Sequence, residues 1–208
     1  MTATVTAQAA ATTTGTTDTP VAAVAAWVGA HPITVDQVNR RLAALREGPL
    51  ASRLPPADTQ QGRNLRRWLV QVLAVEELVV QQAAVHAVVR EPGDGEAVAV
   101  TLAEALRAGG VTAAVLAAVP LARALRRTIV ADIAVPDHEV RGYYERNRDR
   151  HTGTYEHEEP AITQCLLEAA RERAFSQWLD RLLAQSVHLE PGFEHPADPR
   201  QPDADHHH

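Results

Sequence analysis

The sequence is poor in aromatic residues and cysteine, and it carries none of the common cofactor fingerprints. Aromatic side chains make up 4% of the 208 residues, so a core has to be assembled from Ala, Val and Leu, which favours packed helices. Cys165 is the single cysteine, which excludes an intramolecular disulfide framework, and its apolar helical surroundings predict a buried thiol. Every apolar run is broken by Arg, Glu or Gly before it reaches about 18 residues, so no membrane span is expected. No P-loop, dinucleotide fingerprint or Ser-His-Asp spacing occurs, which leaves a nucleotide cofactor without a binding motif. Basic charge is not in excess either: the net charge is −6 with a pI near 5.9, and that field repels nucleic acid and anionic membranes. Residues 1–20 lack a basic n-region and an apolar h-region, which points to a cytoplasmic location.

What is present is helical periodicity. The expected fold class is all-α: a disordered leader over residues 1–20, a helical domain over 21–187, and an irregular Pro/His/Asp-rich tail over 188–208. Residues 21–33 read as a short extended segment or hairpin. Thr34 and Gln37 form a capping box for a helix over 35–46, whose stripe is Val35, Val38, Leu42 and Leu45. Asp58 with Gln61 opens the longest periodic segment, 59–89, in which Leu65, Trp68, Leu69, Val72, Val79 and Ala83 share a face that His86 continues as a core histidine. Thr101 and Glu104 cap a short helix, and further helices are expected over 112–118, 120–133 and 136–147. Residues 148–160 read as a polar irregular loop. A closing helix over 161–186 follows, with Ile162, Cys165, Leu166, Ala169, Phe175, Trp178, Leu179 and Leu182 on its apolar face.

Two stretches carry a resemblance: Val24-Ala-Ala-Trp-Val-Gly-Ala-His-Pro-Ile-Thr-Val-Asp-Gln-Val-Asn-Arg-Arg-Leu, and Val135-Pro-Asp-His-Glu-Val-Arg-Gly-Tyr-Tyr144-Glu-Arg-Asn147. Together with the long helix after Asp58, they resemble the N-terminal chaperone module of SurA-type and PrsA-type parvulin foldases. The resemblance implies a SurA-like helical bundle that cradles a peptide or another apolar ligand. Only residues 148–160 stand where that family carries its isomerase domain, so peptidyl-prolyl isomerase activity is not implied. The tail from Gly192 to His208 is similar to small actinobacterial proteins found with aromatic polyketide pathways, some of which carry a malonyl-transacylase label. That activity would need a Gly-x-Ser-x-Gly nucleophile elbow, and the sequence has none.

Three groups of side chains could carry chemistry. In the tail, His195, Asp198, His206 and His208, with Asp203 and Asp205 between them, supply nitrogen and oxygen ligands suited to zinc, iron, copper, nickel or manganese. His151, Glu156, His157 and Glu158 form a second cluster. His151 and His157 are further metal candidates there, and Tyr144, Tyr155 and Glu158 are the catalytic candidates beside them. Arg63, Arg66 and Arg67 share one helical face that could meet an acyl carrier protein, and Arg123, Arg126 and Arg127 share another. Two functional readings follow. One is a binding or accessory protein for a peptide, a carrier protein or a hydrophobic small molecule, with a homo-oligomer left open. The alternative is a metal-dependent tailoring enzyme that holds its ion with the tail and acts on an aromatic polyketide.

Overall fold

The computed structural model describes residues 23–89, 110–195 and 198. The described chain is mostly helical, as its composition predicts, and it also contains a small antiparallel sheet that an all-α reading omits. Strand β1 (Val24–Val28) turns through Gly29, at φ 58°, into β2 (His31–Thr34). Thr34 then caps α1 (Val35–Glu47) with the expected box, because its hydroxyl accepts from the Gln37 amide and the Gln37 side chain accepts from the Thr34 amide.

A 3-10 turn (Ala51–Arg53) leads to α2 (Gln60–Val85). The cap of this helix is Thr59 rather than Asp58, since the Thr59 hydroxyl accepts from Gly62 at 3.1 Å and donates to the Pro56 carbonyl at 2.7 Å. Gly62 is required there, because a Cβ would sit 2.0 Å from the Pro56 oxygen. α2 stops at Val85, four residues short of expectation. Ala87 adopts a left-handed φ of 49°, while Val88 donates to Ala83 and Ala87 to Ala84, which is a Schellman ending with alanine in the usual glycine position. His86 is therefore an exposed cap at the helix end, edge-on to Trp178, and not a core histidine.

The helix expected around Thr101 and Glu104 lies outside the described residues, as does the leader. α3 (Val111–Ala118) and α4 (Pro120–Ile129) follow, with Pro120 at the first turn of α4 as predicted. α5 (Asp137–Arg146) runs through a 3-10 turn (Arg148–Arg150) to α6 (Tyr155–Ser186), and α6 passes directly into β3 (Val187–Leu189).

β3 corrects the expected boundary of the tail. It pairs with β1 through Ala26–Leu189, Trp27–His188 and Val28–Val187, giving the strand order β2-β1-β3. The Glu190 amide extends the ladder to the Ala25 carbonyl, and the Trp27 indole donates to the Glu190 carboxylate at 3.0 Å. Three residues are too few to show a period of two, and the pairing is non-local, so local sequence does not announce it.

The main core, or body, gathers β1, α1, α2, α3, α4 and the C-terminal part of α6 around Val28, Val38, Leu69, Leu78, Leu125, Phe175 and Leu179. By length and composition α2 could cross a bilayer, with a mean hydropathy of 1.3 over its most apolar stretch; 56% of that stretch is buried inside the protein. Arg41 and Glu76 pair at the edge of this core. Burial pushes the Glu76 carboxyl up, against the opposing pull of Arg41.

A second, smaller cluster of Val140, Tyr144, Tyr155 and Ile162 joins α5 to the start of α6. α6 has 32 residues and so runs for about 48 Å, contributing to one cluster at each end. Between them, Glu168 and Glu172 meet Arg126 of α4 at 3.6 and 3.4 Å. Cys165 and Ala169 fall in this intermediate stretch and are exposed, which corrects the expectation of a buried thiol and of one continuous apolar face.

Candidate functional site

The small cluster sits at the elbow where α5 turns back into α6, and it gathers the sequence's catalytic candidates. α6 starts at Tyr155, six residues before the expected position. Pro160 inside the helix forfeits one backbone hydrogen bond, and burying Tyr155 and Ile162 against Val140 and Tyr144 offsets that loss. Residues 155–160, expected to be irregular, are therefore the opening turns of a helix.

Polar bonds fix the connecting loop. The Tyr144 hydroxyl donates to the Gly153 carbonyl at 2.9 Å, and the Gly153 amide donates to Glu158 Oε1 at 3.1 Å. Glu158 Oε2 lies 3.3 Å from His151 Nδ1. The His151 contact first, and the Gly153 amide second, hold the Glu158 carboxyl below the usual carboxylate range. The rings of Tyr144 and His151 lie 5.4 Å apart, and Tyr144 and Tyr155 meet edge to face at 5.6 Å. Burial, then the Glu159 charge, push the Tyr155 hydroxyl up, so it remains a protonated donor at neutral pH rather than a phenolate. These side chains close a loop; none is arranged as a nucleophile beside its base.

On the other side of the two tyrosines the elbow opens into a cavity of about 290 Å³, lined by Arg141, Tyr144, Glu145, Arg148, Tyr155 and Glu156 along with Thr154. The Arg141 guanidinium lies 4.1 Å from the centre of the Tyr155 ring, and that of Arg148 lies 5.0 Å from the Tyr144 ring. Glu156 is turned onto the start of its own helix. Its own amide first and the Thr154 hydroxyl second keep its carboxyl ionised below the usual range. The sequence reading missed Arg141 and Arg148. Their signal was available, because positions 141, 144 or 145, and 148 repeat at helical spacing and continue the tyrosine face.

The remaining described candidates do not converge on this site. His195 and Asp198 are at the opposite end of α6, where the Asp198 amide donates to the His195 carbonyl at 2.8 Å; His206 and His208, with Asp203 and Asp205, lie outside the described residues. Nearby Phe193 packs on the body beneath Arg66, 5.8 Å from ring centre to guanidinium. The described base of the tail therefore rests on the body at Arg66 of α2. Among the described residues no three His, Cys, Asp or Glu side chains form a group that could hold a metal ion.

Arg63, Arg66 and Arg67 do not act as one exposed face. Arg63 donates to the Asp58 carbonyl, Arg66 covers Phe193, and Arg67 is 4% exposed and bonded to Asn64 at 2.9 Å. Arg123 likewise caps the end of α3 through the Leu116 and Ala117 carbonyls.

A model described as a family of unknown function (DUF7158) matches residues 24–61, which form the β1–β2 hairpin, α1 and the start of α2. No curated protein and no solved structure matches the chain.

Proposed function

We propose that this protein is a non-enzymatic, SurA-like helical binding or accessory protein that holds a peptide, a carrier protein or a hydrophobic intermediate, acting in the cytoplasm within actinobacterial polyketide metabolism. The observation that carries the reading is the elbow cavity. It is open and bordered by aromatic and charged side chains, while the tyrosine hydroxyl and the histidine–carboxylate pair beside it are committed to holding a loop. Such a hollow offers recognition without an activated nucleophile. The sheet joins residues near both ends of the described chain in the body, and α6 connects that body to the elbow.

Binding is tested by calorimetric titration of the full chain with three probes: an unstructured peptide series, a phosphopantetheinylated acyl carrier protein and an aromatic polyketide acid. Each mixture is also followed by mass spectrometry. Saturable binding of at least one probe, recovered unchanged, is expected. Conversion of a probe, or no binding by any of them, contradicts the reading.

A further inference from the structure

The elbow cavity contains two guanidinium groups that are positioned but not consumed. Arg141 and Arg148 each lie over a tyrosine ring, 4.1 and 5.0 Å from its centre, a contact that positions a guanidinium without using a carboxylate. Among the described residues neither group has a carboxylate within ion-pair distance, although Glu145 and Glu156 border the same hollow. Elsewhere in the protein Arg41, Arg126 and Arg171 are each paired with glutamate. Glu156 is held first by its own helix start and second by the Thr154 hydroxyl, and the Arg141 charge adds only a weaker pull on its carboxylate.

The acceptor missing from this arrangement is one that a ligand would bring. Two forked donors flanking an open space of about 290 Å³ match a planar, two-oxygen acceptor with a short chain attached. The protein's net charge of −6 opposes a polyanion, which favours a single carboxylate over an acidic run.

Resting on the binding reading above, we propose that the elbow recognises the free C-terminal carboxylate of a peptide, held between Arg141 and Arg148, with the last residues of that peptide lying in the hollow beside Tyr144 and Tyr155. The carboxylate takes the guanidinium edges, and the tyrosine faces stay covered by the arginines. A C-terminal amide presents one uncharged acceptor oxygen and two donors, so it cannot form the charge-assisted two-oxygen pair with a guanidinium fork.

The test uses the full chain and a pair of acetylated tripeptides identical except for a free acid or an amide at the C-terminus, with binding followed by NMR of the Tyr144 and Tyr155 ring signals. The expected result is saturable binding of the acid, at least tenfold weaker binding of the amide, and at least tenfold loss of acid binding in both Arg141→Met and Arg148→Met. Circular dichroism of each variant shows whether it is folded, and the acid-to-amide ratio on the unaltered protein does not depend on any variant. Equal binding of acid and amide overturns the assignment, as does tighter binding of methyl phosphate than of the acid. Peptide binding that survives both arginine changes sinks this proposal and leaves the binding function standing, whereas no binding of any peptide, carrier or polyketide probe sinks both.

Discussion

In the body, Leu69, Leu78, Leu125, Phe175 and Leu179 are each almost wholly buried against other apolar groups, whereas the elbow has four buried side chains and a ring of polar bonds around Gly153. The same helix, α6, supplies both. Its C-terminal part contributes to the body through Phe175 and Leu179 and its first turns contribute to the elbow through Tyr155 and Ile162. The difference teaches where stability and recognition divide. Aliphatic burial gives a core whose pH response comes from the Arg41–Glu76 pair at its edge, while a small cluster held by hydrogen bonds and one carboxylate is locally weaker and exposes donors to a ligand.

Breaking the body should have the largest effect. Phe175→Ala removes a 1% exposed ring and should cost about 3–5 kcal/mol, seen as a large drop in denaturation midpoint for the whole protein. Gly62→Ala should follow at roughly 1–3 kcal/mol, because the new methyl group meets the Pro56 carbonyl and α2 has to shift; chemical denaturation measures it. In the elbow, Tyr144→Phe removes the bond to Gly153 and should cost about 1 kcal/mol, with faster amide exchange over residues 140–165 and little change in α2. Ala87→Gly relieves a left-handed alanine and should stabilise by about 0.5–1 kcal/mol, a small rise in melting temperature.

The pH response sharpens the same contrast. The Glu158 carboxyl is depressed in the fold, so its contribution is complete above the unfolded value of about 4.3 and is lost as pH falls through the lower folded value. Exchange of the Gly153 amide should therefore accelerate at acid pH beyond its intrinsic pH dependence, while Leu69 in α2 follows its intrinsic dependence. Glu158→Gln should abolish that difference.

Much of the body was legible in the sequence, because long amphipathic helices announce themselves by period and cap. The capping box at Thr34, the core stripe of α2 and Pro120 at the start of α4 all read correctly. What was lost depended on distant partners or on unusual residues. β3 exists because β1 is there to pair with it, α2 ends on an alanine where glycine is the usual signal, and α6 begins before a proline because tertiary packing compensates. At the site, Tyr144, Tyr155, His151 and Glu158 were named from composition, and the structure brings them together. Arg141 and Arg148 were passed over because charged residues on a helix read as solvated until the rings beneath them are seen. Of the tail candidates, the described His195 and Asp198 stand at the far end of α6 from His151, and His206 and His208 lie outside the described residues.

The most direct measurement is amide NMR mapping of the full chain during titration with a free-acid tripeptide. Saturating shifts confined to residues 141–158, with α2 and the sheet unmoved, are the predicted result. Shifts centred on Arg63 and Arg66 of α2, or none at saturating peptide, would contradict the account.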